Sequence, residues 1–272
     1  MTEPRENEPD GGLDEEAAER ALRSFWEIYV QPEVTRRQAE GRLPVPAQIS
    51  RAQVLFYPDE RPNEVRLNEE VRAKVRVTLR EGRNRPAGSL LRFDEIASWE
   101  GIDLARGDDL DAGHITFVVT PDGGQVFAFD AVYNKRLAAE HLAAAREFLD
   151  AATAAVSKGH ARAALDTLFS AAELAAKATL LTMPDPAFQK SKKHGVIHAR
   201  FNRRVRWGNG QPELAATLNR LRALRPRARY LEEPLGLGPD EMVRHLATVQ
   251  AMIDHAARII DRTGHDGEKG ES

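Results

Sequence analysis

The densest chemistry in the sequence lies between Gln189 and Tyr230. Lys190, Lys192, Lys193, Arg200, Arg203, Arg204, Arg206, Arg220, Arg222, Arg225, Arg227 and Arg229 face one acid, Glu213, so this stretch carries a net +11 in a chain whose formal total is -3, leaving -14 for the remainder. Self-repulsion in such a block destabilises a fold unless an anion or an acidic surface offsets it. Arginine offers a planar fork to phosphate oxygens, and Tyr230, Trp207, Phe201 and His194 are interleaved where nucleobases could stack. The pattern points to a phosphate-binding face. Neutralisation by the chain's own acids, or by those of a partner protein, is the alternative.

The other candidate groups are weaker. With no cysteine in the chain, disulfide frameworks, thiolate zinc sites and cysteine nucleophiles drop out together. His194 and His198 are four residues apart and could share a helix face, but no neighbouring carboxylate completes a metal set. No metal site is therefore expected: His194 reads as a phosphate or dipole contact and His198 as a surface residue. His141, His160, His245 and His255 read as ordinary helix-surface residues. Asp103, Asp108, Asp109 and Asp111 do not have EF-hand spacing, and they read as a solvated acidic loop or a docking surface for the basic block. There is no phosphate-cradling glycine loop and no Gly-x-Ser-x-Gly elbow, so no cofactor is expected.

The elements that must position these groups follow from periodicity. A chain of 272 residues suggests roughly two domains. Residues 1–16, with seven acids and one base, and residues 263–272 read as disordered tails. Ala18, Leu22, Phe25 and Tyr29 mark a helix ended by a Gln31-Pro32 break, and Pro32 to Glu40 a short second helix. From about Ile49 the period becomes two: Val54 to Tyr57, Val65 to Leu67 and Val71 to Leu79 read as half-buried strands. Ile115–Thr120 and Gln125–Asp130 form a hairpin about Pro121-Asp122-Gly123-Gly124. Residues 17–134 are thus a mixed helix and mainly antiparallel sheet domain.

From Lys135 the period is helical. Leu142, Ala145, Phe148, Leu149, Ala152 and Val156 mark one helix, stopped at Lys158-Gly159, and Leu165, Leu168, Phe169, Ala172, Ala176 and Leu180 a second, antiparallel to the first. Leu214, Leu218, Leu221 and Leu224 mark a third. Met242, Leu246, Val249, Ile253, Ala256 and Ile260 mark a fourth. Residues 135–262 form an up-and-down bundle, and the fold class is α+β. No apolar run is long enough to cross a membrane and the N-terminus lacks a signal-peptide pattern, so a cytoplasmic protein is expected.

The order of short motifs in this half resembles a HEPN (higher eukaryotes and prokaryotes nucleotide-binding) domain. It runs from a helix ending Ser157-Lys158-Gly159-His160, through an alanine-rich helix and Lys192-Lys193-His194-Gly195-Val196-Ile197, to a helix ending Leu224-Arg225-Pro226-Arg227-Ala228-Arg229-Tyr230. The N-terminal half carries no such resemblance. The resemblance implies a helical bundle that homodimerises and is associated with RNA, nucleotides, or defence and toxin-antitoxin systems.

In active members an Arg and a His about four to six residues later make a metal-independent ribonuclease site. Here Arg225 matches the Arg, but the residues that follow include no His, and Pro226 stands where a polar residue, commonly Asn, is expected. Without imidazole the usual general base is missing, and Arg does not deprotonate. The expectation is therefore binding of RNA, a nucleotide or another polyanion without catalysis. Arg225, Arg227, Arg229 and Tyr230 would line the family-equivalent site, with Lys192, Lys193, His194, Arg203 and Arg204 on phosphates and Lys190, Arg200 and Arg206 also on the nucleic-acid-binding face. The alternatives are a degenerate ribonuclease that recruits His194 or His245, and an antitoxin-like or defence-associated module whose N-terminal domain docks a protein.

Overall fold

The computed structural model describes residues 15–105, 107–185, 188, 194–230 and 234–261. The expected tails lie outside these, except that helix α1 (Glu15–Phe25) already begins at Glu15. The chain forms two compact units that interleave along the sequence: Met1–Leu55, Asn63–Ile102 and Ile115–Phe129 make one, and Phe56–Pro62, Asp103–His114 and Asp130–Ser272 the other.

In the first unit the expected break at Pro32 does not occur. Helix α1 passes through a π-helical turn, Trp26–Val30, into α2 (Gln31–Ala39), and the Gln31 N–H donates to Trp26 O. Pro32 is accommodated because it sits in the first turn of α2, where the wider π turn leaves its missing N–H without consequence. Phe25, Val30 and Val34 are buried, and Phe25 meets Phe127 edge-on at 5.7 Å.

The strands divide into two sheets. Strands β1 (Arg51–Phe56), β2 (Glu64–Leu67), β5 (Gly113–Val119) and β6 (Gln125–Asp130) lie in the order β2-β1-β5-β6, and β3 (Ala73–Leu79) pairs separately with β4 (Ile96–Leu104). Strands β1 and β2 are antiparallel, with Ala52 opposite Leu67 and Val54 opposite Val65. The half-buried expectation holds for β3, where Ala73, Val75, Val77 and Leu79 are half-buried and the residues between them exposed. It fails for β1, whose central position buries Ala52, Gln53, Val54 and Leu55 alike. Gln53 is tolerated there because its amide donates to Arg72 O (3.0 Å) and Thr116 Oγ1 (3.1 Å) and accepts from Arg66 (3.2 Å). The β5–β6 turn closes with Thr120 N–H donating to Gly124 O at 2.8 Å.

The second unit is helical: α3 (Lys135–Ser157), α4 (Ala161–Leu181), α5 (His194–Arg206), α6 (Pro212–Tyr230) and α7 (Pro239–Asp261). Three residues link α3 to α4, and Gly159 adopts φ +71°, a left-handed conformation that favours glycine at a helix stop. Ala138, Ala145 and Ala152 on α3, with Ala164, Ala171, Ala172, Ala175 and Ala176 on α4, are buried with side chains too small to hold the helices apart. Helix α4 packs against α3, α5, α6 and α7. Its Leu165, Leu168 and Phe169 join Leu218, Leu221, Leu224, Val249, Met252 and Ile253 in the core. Phe148, expected on the inner face of α3, is instead 40% exposed, because the buried stripe runs through Leu142, Ala145, Leu149 and Ala152 at three- and four-residue steps and Phe148 falls at its border.

Candidate nucleic-acid interface

Helix α5 exists because Ile197 and Phe201 bury one stripe while Arg200, Arg203 and Arg206 follow at three-residue steps outside it. Helix α6 buries Leu214, Leu218, Leu221, Leu224 and Ala228, which leaves Arg220, Arg222 and Arg229 outward. Reciprocal amide bonds between Asn202 and Asn219, at 2.7 and 3.0 Å, tie the two helices together. The cations of both are therefore held on adjacent, fixed supports.

The block is partly offset from within the bundle. Asp166 on α4 accepts from Arg225 Nε at 3.0 Å and from Arg229 Nε and Nη2 at 2.8 and 3.1 Å. Burial pushes the Asp166 carboxyl up, but the hydrogen bonds from Arg229 and Arg225 more than reverse this and hold it below the ordinary carboxylate range. Arg225 also lies 4.5 Å over the Phe169 ring. Arg200 pairs with Asp185, and Arg220 with Glu241 at 3.2 Å. The carboxylates that temper the block thus come from outside the Gln189 to Tyr230 window and could not be seen by counting within it.

Arg203, Arg206 and Arg222 are exposed, and Arg203 lies over the Trp207 ring at 5.1 Å. Trp207 and Tyr230 are 65% and 66% exposed, whereas Phe201, read as a stacking candidate, is 3% exposed and belongs to the core. Arg227 is half-buried, and its carbonyl accepts from Arg162. Lys190, Lys192, Lys193 and the side chain of His194 lie outside the described residues.

Two expectations on other polar groups need correction. His198 is 1% exposed, stacked on Phe169 at 5.8 Å with Nε2 3.5 Å from Glu173 Oε1. It falls on the apolar stripe of Ile197, Phe201 and Val205, the signal that the surface reading overlooked. The acidic loop is not simply solvated either: Asp109 pairs with Arg61 at 2.5 Å, and Asp111 accepts the Arg136 N–H at 2.8 Å in the first turn of α3. His245, a candidate recruited base, is half-buried with Nε2 3.5 Å from Glu241, the carboxylate that Arg220 also holds. Burial keeps its ring below the ordinary histidine value, against the pull of Glu241. Among the described residues no three His, Cys, Asp or Glu converge as a metal site. No described helix is long and apolar enough to cross a membrane.

This arrangement, the α3–α4 hairpin with α5, with α6 ending in the Arg225 to Tyr230 segment and with α7 packed on α3, α4 and α6, agrees with the comparison by sequence family. Residues 138–263 match the HEPN domain. The C-terminal region is a HEPN domain. The match begins inside α3 and runs past the end of α7, covering every described helix of the basic face, and the N-terminal half matches no family. No curated protein matches the chain. Within this HEPN domain the ring beneath Arg225 is that of Phe169, and the chain that follows Arg225 continues as helix to Tyr230 with no imidazole on it.

Proposed function

We propose that the HEPN domain binds RNA through the basic face of α5 and α6 and does not cleave it. One observation carries the reading: Arg203, Arg206 and Arg222 are exposed on two helices locked together by Asn202 and Asn219, with Arg203 over the open ring of Trp207 and the open ring of Tyr230 at the end of α6. Guanidinium groups with aromatic platforms are the equipment for gripping phosphates and stacking unpaired bases. Against cleavage stands the state of Arg225, committed to Asp166 and Phe169 with no imidazole following it in α6.

The test is retention and cleavage of a mixed-sequence labelled RNA in EDTA at two salt concentrations, with Arg225→Ala alongside. Salt-sensitive retention without cleavage is expected. Replacing Arg203 and Arg206 by Ala lowers the salt slope by roughly 0.7 for each phosphate that is no longer neutralised. Cleavage that disappears in Arg225→Ala would replace this reading with a metal-independent ribonuclease using a recruited histidine. Absence of both signals would assign the basic face to a protein partner.

A further inference from the structure

Where α5 meets the end of α4 there is a small pocket with an apolar floor of Leu180, Met183 and Phe188. Its polar wall holds Arg200, Arg203 and Arg204, and Trp207 stands at its edge. The three guanidinium groups do not share one fate. Arg200 is paired with Asp185, and Arg203 is spread over the Trp207 ring. Arg204 is half-buried, its Nη1 lies 3.7 Å from Met183 Sδ, and its buried Nε has no hydrogen-bond partner among the described residues. Burial pulls its pKa below the ordinary arginine value, and it also acts on its neighbour His255, whose own value is lowered by burial and then by Arg204 and Arg258.

A guanidinium half withdrawn from water, with a buried N–H that no acceptor meets, is costly, and a pocket that keeps one is poised for an anion. Three guanidinium groups against the single Asp185 carboxylate leave the pocket near +2. A chain phosphodiester carries one negative charge, whereas a terminal phosphate monoester carries about -1.5 to -2 at neutral pH. The pocket is far smaller than a nucleotide site, so it takes a single phosphate-sized group and leaves the attached nucleoside outside, at the indole.

We propose that this pocket captures the terminal phosphate monoester of a single strand, with Arg204 and Arg203 on its oxygens and the terminal base stacked on the exposed face of Trp207. The inference rests on the RNA-binding reading above and assigns it an end preference. A 5′-phosphate and a 3′-phosphate present the same chemistry, and the experiment separates them.

The test is fluorescence anisotropy of one single-stranded RNA sequence, labelled internally and prepared with a 5′-phosphate, a 3′-phosphate or hydroxyl ends, against the full chain and its Arg204→Gln, Arg203→Ala and Trp207→Ala variants. A phosphorylated end should bind about tenfold or more tightly than the hydroxyl form, the range of one or two charge-assisted hydrogen bonds. Arg204→Gln should bring the ratio of phosphorylated to hydroxyl affinity to about one whatever it does to the hydroxyl form, while Trp207→Ala weakens the phosphorylated form more than the hydroxyl form. If Arg204→Gln does not fold, as circular dichroism would reveal, Arg203→Ala is read instead, by the ratio of phosphorylated to hydroxyl affinity: it weakens both forms and should bring that ratio close to one. Equal binding of all three ends by the wild type overturns the pocket assignment and leaves the RNA-binding reading standing. No binding of any RNA overturns both.

Discussion

Asp166 on α4 grips Arg229 on α6 at two points, Oδ1 to Nε at 2.8 Å and Oδ2 to Nη2 at 3.1 Å. The same carboxylate holds Arg225, so one acid restrains two of the guanidinium groups in the Arg225 to Tyr230 segment. Asp166→Asn should cost roughly 1–2 kcal/mol of stability, the range for charged hydrogen bonds at a partly exposed site. It should also strengthen RNA binding by freeing both arginines. Because the Asp166 carboxyl is held below its ordinary value, its contribution is complete above the ordinary carboxylate pKa and is lost as pH falls through the lowered one. Urea melts of wild type and variant should therefore converge on acidification. Weaker RNA binding by the variant would mean that the ion pairs organise the face and do not mask it.

A second titration is expected in the N-terminal unit. Glu33 accepts from Arg36 at 2.6 and 2.8 Å and from Arg37 at 2.6 Å, and these bonds, that of Arg36 first, lower its pKa from 4.5 to about 2. The stabilisation is fully present above pH 4.5 and disappears as pH falls through about 2. Glu33→Gln should lower the urea midpoint at pH 6 and match wild type near pH 2. A constant gap across that window would count against the assignment.

Gly159 at φ +71° has open space where a Cβ would stand, so the penalty of adding one is conformational alone. Gly159→Ala should cost about 1 kcal/mol, the penalty for a left-handed L-residue, and lower the thermal midpoint by roughly 2–4 °C. A loss of several kcal/mol would reveal a packing role that the geometry does not provide.

Pro226 lies inside α6, which continues to Tyr230. A proline there removes the bond its N–H would make to the Arg222 carbonyl and crowds that turn. Pro226→Ala should gain roughly 1–3 kcal/mol, read as a raised melting temperature, with RNA still intact after incubation in EDTA. Cleavage by this variant would show that the proline, and not the missing imidazole, silences the segment.

The helical half was legible in the sequence because its apolar spacing is regular and its links are short. The α3–α4 hairpin, its stop at Gly159 and helices α6 and α7 lie where the spacing puts them, whereas α5 (His194–Arg206) is a helix beyond the four that the spacing marks. What escaped were relations between residues distant in sequence. Strand β4 carries Trp99, Glu100, Gly101 and Asp103 without a clean alternation, and it becomes a strand by pairing with β3. Asp166, Asp185 and Glu241 reach the basic helices only after folding, so a charge count over a window overstated the bare positive charge. The acidic remainder also concealed a second basic run, Arg72, Lys74, Arg76 and Arg80, exposed at alternate positions along β3 and the residues flanking it. The pocket lined by Trp207 was legible only as residue types, since which of three neighbouring arginines holds the one carboxylate, Asp185, is a matter of packing.

The three-residue link between α3 and α4 also sets an order of events in time. Closing so short a loop has little entropic cost, and the alanine seam it brings together forms from contacts close in sequence. The first sheet has no such shortcut, because Val119 must find Ser50 before β5 can dock beside β1. In a stopped-flow refolding experiment, helical circular dichroism should therefore recover before the burial of Trp26 against Phe117 on β5.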